Sequence, residues 1–183
     1  MLQNIISQPL GLEKLKSLLP KGSKAVLYES LRNSKRSDVF KNLNSLVVLY
    51  ETKIDNKTQG HYVCLIPRAH SIEYFSSLGR SPADEINAMH EDPTVFRKLL
   101  GKGFTYNRKK LQLDSYNVED CGWWCIARAI LHESKLSPFH RFFTPRQLTS
   151  SDEVLAVMSL LLATRWRARR IWLSERSGKN EFL

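Results

Sequence analysis

Three strand-like segments in close succession constrain the fold more than any other feature of this sequence. Residues 46–50 form a continuous run with β-branched residues, residues 61–66 form a returning strand, and residues 71–75 form a third strand. Such runs are typical of strands, and neighbouring strands joined by short links pair antiparallel. The polar stretch over residues 52–60 is expected to be a hairpin loop. The sequence therefore predicts an antiparallel meander of three strands.

Helical patterns flank this meander. Ser81-Pro82 and Asp92-Pro93 each combine an N-cap residue with proline at the first helical position. They predict helices over residues 82–90 and 93–100. Apolar spacing and strand-forming residues predict the other elements, which are helices over residues 9–19 and 121–133 and strands over residues 25–28 and 104–106.

The length of the chain fits one domain. Its 183 residues are 42% hydrophobic, which is enough for one packed core and argues against general disorder. We therefore expect residues 1–183 to form a single domain. A capping box at residues 150–153 predicts a C-terminal basic helix over residues 150–176.

Charge is the unusual part of the composition. The formal net charge is +10, and a surface of that sign attracts polyanions, above all nucleic acid. The predicted C-terminal helix ends in a segment that mixes arginine with tryptophan, and such groups neutralise phosphates and stack on bases. The alternative is a solvated helix end whose arginines favour the helix dipole. The nucleic-acid-binding candidates are Arg165, Arg167, Arg169 and Arg170.

The cysteines and the absence of long apolar stretches bear on the compartment. Three cysteines, Cys64, Cys121 and Cys125, are too few for a disulfide framework and favour a reducing environment. No signal peptide is visible, and no apolar stretch approaches the roughly 20 residues that span a bilayer. Cys121 and Cys125 lack a second Cys/His pair nearby, so no metal site is predicted. Cys64 is expected to be a small core residue.

Cys121 lies where a predicted helix begins, in the segment Asp-Cys-Gly-Trp-Trp-Cys of residues 120–125. Unpaired backbone amides and the positive end of the dipole at a helix start stabilise a thiolate, and the same amides suit an oxyanion. Gly122 permits the close approach of another backbone or a substrate. A buried cysteine at a helix start is more often a packing residue, so its position alone does not assign chemistry.

A nucleophilic thiol needs a base, and five histidines are candidates. His61 opens a predicted strand after a turn at Gly60, which places its ring at the rim of the sheet. The other histidines lie in a turn, on two helices and between aromatic residues, and they are His70, His90, His132 and His140. On the residues alone, His61 leads only slightly.

The order of several short segments resembles the cysteine proteases that include the adenovirus maturation protease and the SUMO-processing proteases. The segments are Gly-His-Tyr-Val at 60–63, Tyr-Phe-Ser-Ser-Leu-Gly at 74–79, Gln112, and Asp-Cys-Gly at 120–122. In that family a strand-opening histidine precedes a strand that ends in an acidic residue and a turn, and a glutamine then precedes a Cys-Gly at a helix start. The resemblance covers about residues 45–135, and it is greatest to the viral, capsid-maturation branch.

This resemblance implies a papain-like α+β cysteine protease fold with a mixed central sheet flanked by helices. By position, Cys121 is the nucleophile, His61 is the general base, and Gln112 polarises the scissile carbonyl. Gln112 lies nine residues before the cysteine, which is farther than in the two named relatives. Asn117 and Ser115 therefore remain alternatives for its role.

The family position of the acid that orients the histidine holds Ser76 in this chain. A serine hydroxyl accepts a hydrogen bond from imidazole but brings no charge, so it would stabilise an imidazolium less. Glu73 lies an odd number of positions away and is expected on the opposite face of the strand. Three alternatives stay open: a Cys–His dyad that is weakly oriented by Ser76, an enzyme that is less active than its relatives, or a serine that is an altered form of a natural aspartate.

The resemblance further implies an endopeptidase that cleaves viral capsid precursor proteins during virion maturation, within the virion and in the host cytoplasm or nucleus during assembly. No cofactor is expected to be required, with DNA or a peptide as an optional activator. Double-stranded DNA is a second expected partner, and no membrane is expected. Two alternatives stay open. One is a ubiquitin- or SUMO-type deconjugating protease, which shares the core, and the other is a non-catalytic basic protein that binds or packages DNA.

Overall fold

The structure is a computed structural model that describes residues 10–54, 57–112 and 120–143. In this part of the chain the strands are β1 (Ser23–Leu27), β2 (Ser45–Ile54), β3 (Lys57–Pro67), β4 (Ile72–Ser76) and β5 (Phe104–Tyr106). The helices are α1 (Leu12–Leu18), α2 (Arg36–Val39), α3 (Pro82–Ala88), α4 (Pro93–Leu100), α5 (Cys121–Ile130) and α6 (Leu136–Phe142), with a 3-10 turn over Tyr28–Leu31.

The five strands form one mixed sheet in the order β1-β2-β3-β4-β5. β2, β3 and β4 pair antiparallel, which confirms the predicted meander, whereas β1 and β5 pair in parallel with β2 and β4. The predicted hairpin loop over residues 52–60 is wrong, because the β2–β3 ladder continues to the pair Ile54 and Lys57. Backbone groups make a ladder, so polar side chains need not end a strand.

Each face of the sheet carries its own apolar core, as the period of two in a strand requires. On one face Val47, Cys64 and Phe75 pack with residues of α1, α5 and α6. On the other face Val48, Val63, Tyr74 and their neighbours pack with residues of α3 and α4. The α+β class and a mixed sheet flanked by helices are therefore confirmed.

Both proline-marked helix starts form as predicted. The Ser81 hydroxyl accepts a hydrogen bond from the Asp84 N–H at 3.2 Å, and the Asp84 carboxylate accepts one from the Ser81 N–H at 3.3 Å. Asp92 accepts one from the Thr94 N–H at 2.9 Å. These capping bonds satisfy amides that the first turn of a helix leaves unpaired. They also fix the orientation of α3, which carries a residue of the candidate site.

Some predictions fall on parts of the chain that the structure does not describe. The predicted C-terminal helix over residues 150–176 lies outside the described residues, and with it the four arginines proposed to bind nucleic acid. Asn117 and Ser115 lie outside them as well. Within the described residues, no helix is long and apolar enough to cross a membrane.

Candidate active site

Cys121 is the first residue of α5, and its side chain is nearly buried, with 7% of the residue exposed. Gly122 next to it allows the protein's own side chains to approach, since a Cβ there would lie 3.2–3.3 Å from atoms of Leu10, Leu15 and Tyr62. The first turn of a helix presents backbone N–H groups without intrahelical partners. The thiol therefore sits beside donors that suit an anion.

His61 lies on β3 at a corner of the sheet. β4 ends at Ser76, which pairs with Val63, so β3 runs on without a β4 neighbour at His61. The imidazole fills this corner, and His61 is 8% exposed. Its Nε2 lies 3.3 Å from Ser76 Oγ and 3.3 Å from Glu85 Oε1. The structure thus brings His61 and Ser76 together, as their predicted roles require.

Cys121 lies close enough to His61 to act on the pKa of the ring through hydrogen bonding and charge. Nε2 is engaged by Ser76 and Glu85, and Nδ1 lies on the side of the ring away from these two groups. Burial lowers the pKa of His61, but the hydrogen bonds and charges of Cys121 and Glu85 outweigh it and raise this pKa to about 10. A histidine held in its cationic form beside a thiol favours the thiolate by charge.

Glu85 is the residue of the site that the sequence reasoning missed. It projects from α3, and none of its surface is exposed. Burial by itself would raise the pKa of Glu85. The hydrogen bond and the charge of His61 outweigh this effect and bring the pKa below its ordinary value. A sequence signal existed, because Pro82, Glu85 and Ile86 are the buried residues of α3 and follow i, i+3, i+4 spacing. A carboxylate within such an inward-facing stripe marks a group that needs a partner.

Ser76 is held at the end of β4 by Asn107, a second residue that the sequence reasoning missed. The Asn107 Oδ1 accepts a hydrogen bond from the Ser76 N–H at 2.9 Å, and its Nδ2 donates to the Ser76 carbonyl at 2.6 Å. Asn107 follows β5 directly, so its side chain continues the β4–β5 ladder by one step. This pair of bonds holds the backbone from which the Ser76 hydroxyl projects.

Gln112 is also buried, with 7% of the residue exposed. Its Oε1 accepts a hydrogen bond from Ser77 Oγ at 2.6 Å, and its backbone N–H donates to the Ser77 carbonyl at 3.1 Å. The bond to Ser77 orients the side-chain amide, with Oε1 as its acceptor end and Nε2 as its donor end. The role of Gln112 at the scissile carbonyl stays a prediction.

The remaining residues singled out in the sequence are Glu73, Cys64, Cys125, Trp123 and Trp124. Glu73 bonds to Arg128 of α5 and so faces away from Ser76. Cys64 and Cys125 are fully buried; burial raises the pKa of Cys64 to about 12 and that of Cys125 well above its usual range. Trp124 packs in the core against Phe143, whereas its neighbour Trp123 is partly exposed. Among the described residues, no group of three or more His, Cys, Asp or Glu side chains is arranged to hold a metal ion.

Comparison with known proteins gives a relative and two similar folds. No family model matches the chain. Uncharacterized protein V9 of Sputnik virophage is 27% identical over 141 residues, which cover 68% of this chain and 77% of that protein. The C-terminal Ulp1 protease domain, solved in complex with Smt3, the yeast ortholog of SUMO, has a TM-score of 0.43 and 13% identity over 86% of this chain and 78% of that one.

The second similar fold is the central domain of the uncharacterized Lpg1148 protein from Legionella pneumophila. It has a TM-score of 0.42 and 13% identity over 88% of this chain and 99% of that one. Similarities of this size carry no argument about chemistry. The chemistry of this protein is therefore inferred from Cys121, His61 and the groups around them.

Proposed function

We propose that this protein is a cysteine peptidase of papain-like architecture, with Cys121 as the nucleophile and His61 as the general base and acid. The observation that carries the proposal is a thiol at a helix start beside a buried histidine, whose Nε2 lies 3.3 Å from both Ser76 Oγ and Glu85 Oε1 and whose pKa is raised by Cys121 and Glu85. A thiol, a base in contact with it, and a group that orients the base are the parts that nucleophilic catalysis needs.

The arrangement supports a two-step hydrolysis of a peptide bond. With the proton of the thiol already on His61, the Cys121 sulfur attacks the scissile carbonyl carbon to form a tetrahedral oxyanion. The N–H groups at the start of α5, with the Gln112 amide, are suited to hold that oxyanion. His61 then protonates the leaving amine, and an acyl-thioester remains. Water, deprotonated by His61, releases the acid and restores the thiol.

The simpler alternative is that Cys121 is a packing residue. Cys64 and Cys125 show what such a cysteine looks like here, because both are fully buried among apolar neighbours. Cys121 differs from them in its contact with His61 and in its place at a helix start. A packing role also leaves unexplained why two ionisable groups, His61 and Glu85, are buried together beside it, since burying charged groups costs free energy.

For the substrate, we propose viral capsid precursor proteins that are cleaved during virion maturation. The relative from Sputnik virophage supports a viral setting for the chain. The basic composition, with its net charge of +10, supports activity near DNA, which could also act as an activator.

The proposal is tested by co-expressing the protein with a candidate capsid precursor and following cleavage by mass spectrometry. We expect cleavage by the wild type and none above background with Cys121→Ala. His61→Ala should lower kcat/KM by about 10²–10⁴-fold, the usual contribution of general acid–base catalysis. Cys125→Ala is the matched control, because it removes a neighbouring buried thiol that is not part of the proposed chemistry. Cleavage that persists in both the Cys121 and the His61 variants would rule out the proposed site.

A ubiquitin-like protein fused to a reporter serves as the second substrate in the same experiment. Cleavage of that fusion, with the capsid precursor left intact, would keep the peptidase assignment but replace the substrate class by a deconjugating one. Cleavage of the precursor alone supports the maturation role.

A further inference from the structure

We propose that Glu85 is the positioning acid of the Cys121–His61 site, and that it acts on the imidazole both directly and through the Ser76 hydroxyl. The proposal rests on the proposed peptidase function. It assigns to a helix residue the role that resemblance places on the strand at Ser76. Glu85 is a positioning residue, because it touches His61 and not the reacting atoms.

Three atoms carry the proposal, and they form a closed triangle. Ser76 Oγ lies 2.5 Å from Glu85 Oε1, and His61 Nε2 lies 3.3 Å from each of these oxygens. The serine has one hydroxyl proton, and it donates that proton to the carboxylate. A length of about 2.5–2.7 Å is typical of a hydroxyl bound to an ionised carboxylate. This length fits an ionised Glu85, in agreement with its lowered pKa.

The direction of these bonds fixes the state of the imidazole. Because the Ser76 proton is directed to Glu85, the oxygen of Ser76 is left as an acceptor, and it already accepts from the Leu78 N–H at 3.3 Å. His61 Nε2 must then carry a proton and donate it towards Ser76 and Glu85. This leaves Nδ1 to exchange a proton with the Cys121 thiol, as a general base must.

The charge of Glu85 has few other partners among the described residues. Arg80 Nη1 lies 3.9 Å from Glu85 Oε2, but 42% of the Arg80 side chain is exposed, so water screens this pair. Tyr50 and Tyr74 face Glu85 from the sheet and bring no positive charge. His61 is buried and closer than Arg80. A carboxylate with no exposed surface is thus balanced chiefly by the imidazolium that it stabilises.

Glu85 and Ser76 together take the place of the acidic residue that the resembled family carries at the end of the strand. The Ser76 hydroxyl does not ionise and so brings no charge, and Glu85 reaches the same imidazole nitrogen from α3 on the neighbouring layer. Asn107 holds the backbone of Ser76 on both sides, so the hydroxyl keeps its place between the acid and the base.

The first experiment follows the pKa of His61 by NMR in a Cys121→Ala background, where no catalytic activity is needed. The ring signal is assigned by its loss in His61→Gln. We expect Glu85→Gln, which keeps the shape and removes the charge, to lower the pKa of His61 by about one to three units. Glu29→Gln is the control. It removes an exposed carboxylate whose ion pair is with the exposed Arg32 at 3.8 Å, and it should leave the His61 titration unchanged.

The second experiment moves the carboxylate back to the strand. Ser76 Oγ already lies within reach of His61 Nε2, so Ser76→Asp combined with Glu85→Gln should restore the pKa of His61. In the active Cys121 enzyme, Glu85→Gln should lower kcat about 10–100-fold with little change in KM. The double variant should recover most of that loss. A merely structural role for Glu85 would change the unfolding midpoint and would not be rescued from position 76.

The outcomes separate this proposal from the proposed function. An unchanged pKa of His61 in Glu85→Gln, or a double variant that folds but recovers nothing, overturns the role of Glu85 even if Cys121 and His61 prove essential for cleavage. If the wild type cleaves no substrate, the proposed peptidase function is wrong. The NMR titration still shows whether Glu85 acts on the pKa of His61. If Glu85→Gln alone does not fold, the double variant decides by itself, since it holds a carboxylate in the same corner.

Discussion

At the scale of single residues, His61 is the side chain on which the chemistry of the site depends. Its Nε2 lies against Ser76 and Glu85, and Cys121 acts on the same ring by raising its pKa. Burial alone would make it a neutral base, but these neighbours raise its pKa to about 10. The ring is therefore predisposed to stabilise a thiolate and then to protonate a leaving amine.

This raised pKa predicts how stability varies with pH. The pKa of His61 rises from 6.5 to about 10 on folding. Its stabilising contribution is complete below about pH 6.5 and is lost as the pH rises towards 10. The pKa of Glu85 lies below 4.5, so its contribution is present above about pH 4.5 and is lost as the pH falls below that value. The pair should stabilise the fold most between these limits.

Urea denaturation from pH 4 to pH 10 measures this dependence. We expect the free energy of unfolding of the wild type to fall between about pH 6.5 and pH 10 more steeply than that of His61→Gln, which has no titrating ring at this position. Parallel profiles for the two proteins would contradict the stated ionisation of His61.

At the scale of elements, two connections set the geometry around the sheet's open corner. Arg128 near the end of α5 bonds to Glu73 of β4 at 2.5 Å, and Glu73 also bonds to Arg68 after β3 at 2.6 Å. Arg128 and Arg68 in turn donate to carbonyl groups just beyond α5. This buried network ties one end of α5 to the sheet, while Cys121 occupies the other end.

The second connection is the turn after β4. Gly79 has φ +70°, and a Cβ there would lie 2.8 Å from backbone atoms of Lys109 and Lys110. The Gly79 N–H donates to the Ser76 carbonyl at 2.9 Å, and Ser77 binds Gln112. The close approach that glycine permits therefore brings Ser76 and Gln112 to the same side of the molecule.

A substitution at Gly79 should show how far the stability of the fold depends on glycine in this turn. We expect Gly79→Ala to lower the free energy of unfolding by about 1–3 kcal/mol or more, because it combines a left-handed backbone with a backbone clash. Gly103→Ala is the control, since a Cβ there meets nothing within 4 Å, and it should be nearly neutral. Denaturant unfolding measures both, and equal effects at the two glycines would contradict this account of the turn.

At the scale of the whole molecule, the site joins layers that lie on opposite faces of one sheet. Cys121 begins α5, whose core residues pack on one face, and Glu85 belongs to α3, which packs on the other. They meet at His61 because β4 ends at Ser76 and leaves that corner of β3 open. Neither face alone could assemble the three groups.

The net charge of +10 belongs to the same scale and predicts DNA binding. We expect affinity for double-stranded DNA to fall as salt rises, with a log–log slope of about −0.9 for each phosphate contact. Replacing Arg165, Arg167, Arg169 and Arg170 together by alanine should reduce that slope. The matching replacement by lysine keeps the charge and should preserve it. Fluorescence anisotropy at several salt concentrations makes the measurement, and identical slopes for the wild type and the alanine variant would contradict binding by this segment.

The sequence by itself determined the local elements of the described fold, since apolar, strand-forming runs mark the strands and the Ser81 and Asp92 caps mark two helix starts. It also located Cys121 at a helix start and His61 on the second strand of the meander, but the prediction that His61 opens this strand is wrong, because β3 begins at Lys57. Length was less predictable, because the β2–β3 ladder continues through polar residues. Only the tertiary structure decided that Glu85 meets His61. The contact depends on how α3 packs against the sheet and on where β4 ends, and local sequence patterns do not encode such long-range packing.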